Sequence, residues 1–169
     1  MIQIEYMFTP DYLLPALKLH RRYEQKLVRY AHVVVGVAMA SYIWSRWEFI
    51  VQDGLNTIDI LMLIMVGITL FSSQISRYFF SKAIRQSPWH ENTCYLKFEE
   101  DGMTMKTEDS VTEIKWGKFY RVYLFETGIL LYMQKNMFYW ASRDLFKEGE
   151  FEQAIDMLES GVTDLKKMS

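Results

Sequence analysis

The sequence predicts an α+β membrane protein, in which a two-helix transmembrane hairpin is joined to a cytoplasmic antiparallel β-sheet and a C-terminal α-helix. Three observations lead there. Two apolar runs, roughly Val28 to Trp44 and Ile58 to Phe80, are joined by a short, mostly acidic loop. Lysines and arginines gather on the outer sides of both runs. Beyond residue 90 the apolar period drops to two and returns to helical spacing only near the C-terminus. Average composition hides this division, because 169 residues that are 50% hydrophobic with a formal charge of -2 resemble an ordinary globular domain.

The N-terminal part, residues 1–29, reads as a strand followed by a basic juxtamembrane helix. Ile2, Ile4 and Tyr6 alternate with Gln3, Glu5 and Met7, which gives a strand over residues 2–8. Thr9-Pro10-Asp11 then opens a helix that runs through Leu13, Leu14 and Leu17 into Lys18, Arg21, Arg22, Lys26 and Arg29. A lone strand is stable only as part of a larger sheet, so this one is expected to add to the sheet made after the hairpin.

The hairpin is placed at residues 28–85, with spans at about 28–47 and 58–80. Between Ala31 and Ile43 there is no formal charge, only His32, and between Ile60 and Ser76 there is none at all. Crossing a hydrocarbon core takes about 20 helical residues, so flanking residues must supply the remaining length. Arg29 and Arg46 reach the interfaces with their charged heads, while Tyr30, Trp44, Trp47, Arg77 and Trp89 suit that depth. Asn56 or Thr57 caps the second helix, and Asp59 complements its positive end. Basic residues resist translocation, so the flanks, and with them both termini, are expected in the cytoplasm. The same clusters need no nucleic acid, since topology and lipid headgroups account for them.

Small residues suggest where the helices meet. Gly36 and Ala40 share a helix face, and Gly67 lies at a similar depth in the returning helix, so close approach there would lock the hairpin or a homo-oligomer. Ala38-Met39-Ala40 imitates a signal-peptidase site, but about thirty residues precede it and cleavage is not expected.

Residues 90–169 are expected to form the cytoplasmic sheet and last helix. Ser87-Pro88 ends the second span. Cys94, Leu96 and Phe98 alternate with Tyr95 and Lys97, Glu100-Asp101-Gly102 turns, and Met103 and Met105 continue the alternation. Further strands are read at Val111 to Trp116, Phe119 to Phe125, Ile129 to Gln134 and Met137 to Ala141, separated by Gly117-Lys118, Thr127-Gly128 and Lys135-Asn136. The later strands are apolar on both faces and need two covers. One is the final helix, where Phe151, Ile155 and Leu158 recur and Gly161 supplies the stop; lipid headgroups or a partner would be the other.

Phe98-Glu99-Glu100-Asp101-Gly102, then Ile114-Lys115-Trp116, then Arg143-Asp144-Leu145-Phe146 before the last helix, in a chain of this element order, resembles the YcxB-like family of small bacterial membrane proteins. Trp140-Ala141-Ser142-Arg143 stands where that family usually has an isoleucine-proline-lysine-like stretch. The resemblance implies a bacterial inner-membrane protein with two spans and a pleckstrin-homology-like half-barrel, and it supplies no catalytic residues.

A search for chemistry gives no enzyme. Cys94 stands alone on an apolar face, and His20, His32 and His90 are dispersed without metal-ligand partners, so no cofactor or metal is expected. Glycine-rich phosphate loops and nucleophile elbows are absent from the sequence. The expected role is a non-catalytic module that binds a protein partner or membrane lipids through exposed aromatics such as Tyr123, Tyr132 and Trp140. An immunity-type protein guarding against a membrane-directed toxin is the alternative, and an oligomeric transport component is the weaker one.

Overall fold

The computed structural model describes residues 1–135 and 137–168, the side chains of residues 26–29 and 32 excepted. The readings that rest on the side chains of Leu27, Val28, Arg29 and His32, and on Asn136 in the last turn, therefore lie outside the described residues. The fold is mixed α+β and divides into two units, Met1–Ala16 with Ile84–Ser169, and Leu17–Ala83.

The first unit holds two four-stranded sheets. Strands β1 (Ile2–Met7), β2 (Thr93–Phe98), β3 (Gly102–Lys106) and β4 (Val111–Lys115) form the first, in that order and antiparallel throughout. The β1 alternation has a plain consequence: Ile2, Ile4 and Tyr6 are buried while the residues between them are exposed. Its ladder with β2 runs from Ile2 opposite Phe98 to Met7 opposite Thr93.

The second sheet contains β5 (Arg121–Phe125), β6 (Gly128–Gln134), β7 (Met137–Ser142) and β8 (Leu165–Lys167), ordered β7-β6-β5-β8. A single antiparallel sheet was expected, and the structure corrects this in two ways. A 3-10 turn at Trp116–Lys118 redirects the chain after β4, so β5 starts a new sheet. In addition, β8 joins β5 in parallel, with Val122 opposite Leu165. The core gathers alternate residues of both sheets with one face of helix α5 (Glu150–Gly161): Leu96, Phe98, Val122, Leu131, Phe151 and Leu158 are among its members.

The second unit is helical. Helix α1 (Pro10–Tyr23) leads from the first unit into it, followed by α2 (Lys26–Ser45), α3 (Trp47–Asp53) and α4 (Thr57–Arg85). With 29 residues, α4 is about 44 Å long. Among the described residues it is the one helix long and apolar enough to cross a membrane, and Val33–Ser45 is a shorter apolar helix. The expected acidic loop between the spans is in fact largely α3.

Candidate membrane-facing surface

The helices of the second unit meet along a narrow face. Gly36, Met39 and Ile43 of α2, Arg46 just after it, and Asp59, Met62, Val66 and Thr69 of α4 are among the less exposed positions, spaced three and four apart. A Cβ on Gly36 would stand 3.2 Å from the Thr69 methyl, so α2 and α4 approach closely there. The Thr69 hydroxyl is turned away to donate to the Met65 carbonyl at 2.8 Å. Gly67 and Ala40 take no part in this approach: a Cβ on Gly67 would meet nothing within 4 Å, and Ala40 is exposed. The small residue at the contact is therefore matched by a threonine, not by a second glycine.

At the connecting end, Arg46 is turned toward Asp59 instead of toward an interface, with Nε 3.3 Å from Oδ1. The Asp59 side chain is 1% exposed. Its other oxygen accepts from the Asn56 N–H at 3.2 Å, while Asn56 Oδ1 accepts from the Asp59 N–H at 2.9 Å. This reciprocal pair caps α4. The Arg46–Asp59 contact is an ion pair without hydrogen-bond geometry, which leaves Nε and Oδ1 without hydrogen-bond partners among the described residues.

Away from that face, large apolar side chains point outward along both helices, among them Val34, Val37, Leu61, Ile64, Leu70 and Phe71. Soluble monomers rarely leave a patch of this extent in water. Of the residues expected at the interfaces, Trp44 is 83% exposed, and Tyr30, Trp47 and Arg77 are exposed as well. Trp89 lies in the first unit, partly exposed, edge-on to Phe8 with ring centroids 6.1 Å apart.

The aromatics expected to form an interaction surface do not form one. Tyr132 is 0% exposed, Trp140 3% and Tyr123 4%. Period-two patterning correctly made both faces of β5 and β6 apolar, but the second face is already shielded by this chain itself, with Tyr123 and Tyr132 packed edge to face at 5.9 Å. Behind Trp140, Gly128 has φ +152 and leaves room where a Cβ would strike the Ala141 carbonyl and the indole.

The residues that carry the family resemblance converge in one cluster. Trp116 stacks on Phe98 at 6.1 Å, and Phe146 lies 5.7 Å from Phe98 and 5.3 Å from Phe151. The Trp116 indole N–H is shared between the carbonyls of Glu99 at 3.1 Å and Glu100 at 3.0 Å, which fastens the β2–β3 turn. Gly161 lacks a left-handed φ, so helix termination is not its task; a Cβ there would lie 2.5 Å from the Trp116 ring. Gly102 likewise admits the Ile114 carbonyl of β4. These positions specify packing.

Titratable groups tell the same story. Burial pushes the Cys94 thiol up, and burial beside that thiol raises Tyr6 well above the ordinary phenol range. His20 is buried, 3.1 Å from the Gln25 amide, and burial holds it below its ordinary value. Among the described residues no three histidine, cysteine or carboxylate side chains come together to hold a metal.

Residues 98–158 match the profile of the YcxB-like protein family, so the resemblance read from the sequence holds over that segment. No curated protein and no solved structure is matched by the chain.

Proposed function

We propose that this chain, YcxB-like over residues 98–158, is a non-catalytic bacterial inner-membrane protein. Its two-span hairpin carries both termini on the cytoplasmic face, where the β unit binds a protein partner or lipid headgroups. One observation carries the reading. Strands β1 and β2 are hydrogen-bonded along their length although α2, α3 and α4 lie between them in sequence. Paired strands must share one side of a bilayer, so the number of crossings between Met7 and Thr93 is even. If α4 crosses, α2 must cross too. The basic residues Lys18, Arg21 and Arg22 before the hairpin and Lys82 and Arg85 at its end support a cytoplasmic location for that shared side.

For partner binding, support shifts from the buried aromatics to β4. This strand ends its sheet, and Val111, Thr112, Glu113 and Lys115 are exposed while Ile114 is buried. A free edge offers unpaired N–H and C=O groups to an added strand.

Single cysteines test the topology. Asp53→Cys is expected to react with an impermeant maleimide on intact cells, and Glu148→Cys only after permeabilisation. Labelling of Glu148→Cys from outside, or a protein that stays in solution without detergent, would overturn the proposal.

A further inference from the structure

The segment between the spans is short enough to be dismissed as a loop, yet its geometry is specific. From Gly36 in α2 to Arg46 at its C-cap, and from Thr69 to Asp59 in α4, the paired positions advance by the same ten residues, about 15 Å along each axis. This even register ends abruptly. Beyond Arg46 opposite Asp59, α4 continues only to Thr57, so α3 has no α4 surface to run along. It contains no buried residue.

Its composition is two-sided. At about 100° per residue, Trp47, Ile50 and Val51 fall on one side of α3, and Glu48, Gln52 and Asp53 on the other. Phe49 falls on the polar side, between Gln52 and Asp53, where the Arg46 guanidinium lies over its ring at 5.7 Å. Trp44, just before the helix, and Leu55, just after it, are exposed and apolar as well. Seven residues make about 10 Å of helix, too short to enter the core of a bilayer and leave again.

We infer that α3 lies flat in the outer headgroup region of the membrane, with Trp44, Trp47, Ile50, Val51 and Leu55 immersed at the acyl boundary and Glu48, Gln52 and Asp53 facing water. The occupant of its apolar side is bilayer lipid, because that side is continuous in sequence with the outward apolar surfaces of α2 and α4. Tryptophan is the residue favoured at that depth, and a short amphipathic helix in the interface plane is a stable arrangement. The Arg46–Asp59 pair ties the residue at the break between α2 and α3 to the capped start of α4, so the contact between the two long helices ends where α3 begins. This inference rests on the two-span reading.

Spin labels on single cysteines in the full chain, reconstituted in vesicles of phosphatidylethanolamine and phosphatidylglycerol, test it. Cys94 stays in place, being buried with its thiol raised in pKa, and the chain without an added cysteine reports its background. A label at Val51→Cys is expected to collide at least threefold more with oxygen than with a water-soluble nickel chelate, relative to the same ratio at Gln52→Cys. Ile68→Cys, mid-way along α4, serves as the reference. If Ile68→Cys is lipid-exposed but Val51→Cys meets the chelate as freely as Gln52→Cys, the placement of α3 is wrong and the hairpin survives. If Gln52→Cys is shielded as strongly as Ile68→Cys, α3 continues the span and the in-plane placement fails. If Ile68→Cys itself meets the chelate, the two-span reading falls and α3 with it.

Discussion

Replacing Trp116 with phenylalanine keeps an aromatic ring beside Phe98 and removes the N–H that the Glu99 and Glu100 carbonyls share. A lost hydrogen bond of this kind costs about 0.5–1.5 kcal/mol, so Trp116→Phe should lower the thermal midpoint of the β unit, followed by near-ultraviolet circular dichroism in detergent. An unchanged midpoint would show that the indole N–H contributes nothing to the turn. Side-chain identity was legible at this scale, and partnership was not. Trp116 reads as a large core residue and Gly161 as a helix stop, but their interlocking joins positions far apart in sequence. Tyr123, Tyr132 and Trp140 mislead for a related reason, since an apolar second face shows that a cover exists without saying that the same chain provides it.

The first strand shows what alternation dictates. Ile4 is buried opposite Leu96, whereas its neighbour Gln3 faces out. Ile4→Asp forces a carboxylate into the core and should cost about 3 kcal/mol or more, while Gln3→Asp should stay within about 0.5 kcal/mol. Limited proteolysis of the β unit compares them, and equal resistance would mean that β1 contributes no stability. Strands β2 to β7 are legible because each runs for at least five residues between turn-forming breaks. By contrast, β8 has three residues, two of them lysine, and only the parallel ladder to β5 and the Arg121–Asp164 ion pair at 2.6 Å make it a strand. Helix α3 escaped notice because Glu48 and Asp53 give its stretch the look of a solvated turn. The separation into two sheets depends on the 3-10 turn after β4, which Gly117-Lys118 marks only as a break.

Acid should act on the two units in succession. Burial lowers the pKa of His20 in the helical unit, so the folded chain takes up its proton at lower pH than the unfolded chain does. That contribution is complete above the unfolded value of 6.5 and is lost as the pH falls from there toward the depressed folded value. Glu99 in the β unit is different. The Lys97 ammonium, 2.6 Å away, hydrogen-bonds its carboxylate and lowers its pKa, so its contribution persists above about 4.5 and declines only below. In detergent, the helical unit should melt at a lower temperature at pH 5.5 than at pH 7, and His20→Gln should remove most of that difference. Identical melting of the natural chain at the two values would contradict the assignment.

The ladder between β1 and β2 also governs the order of events during synthesis. Ile2, Ile4 and Tyr6 leave the ribosome first, while their partners Phe98, Leu96 and Cys94 are still untranslated. Until then the nascent strand has a sticky, unsatisfied edge and nowhere to bury it. Completion of the domain is thus deferred until the intervening helices have been made, and a transcript broken before Thr93 yields a product that quality-control proteases would meet with its first strand still bare.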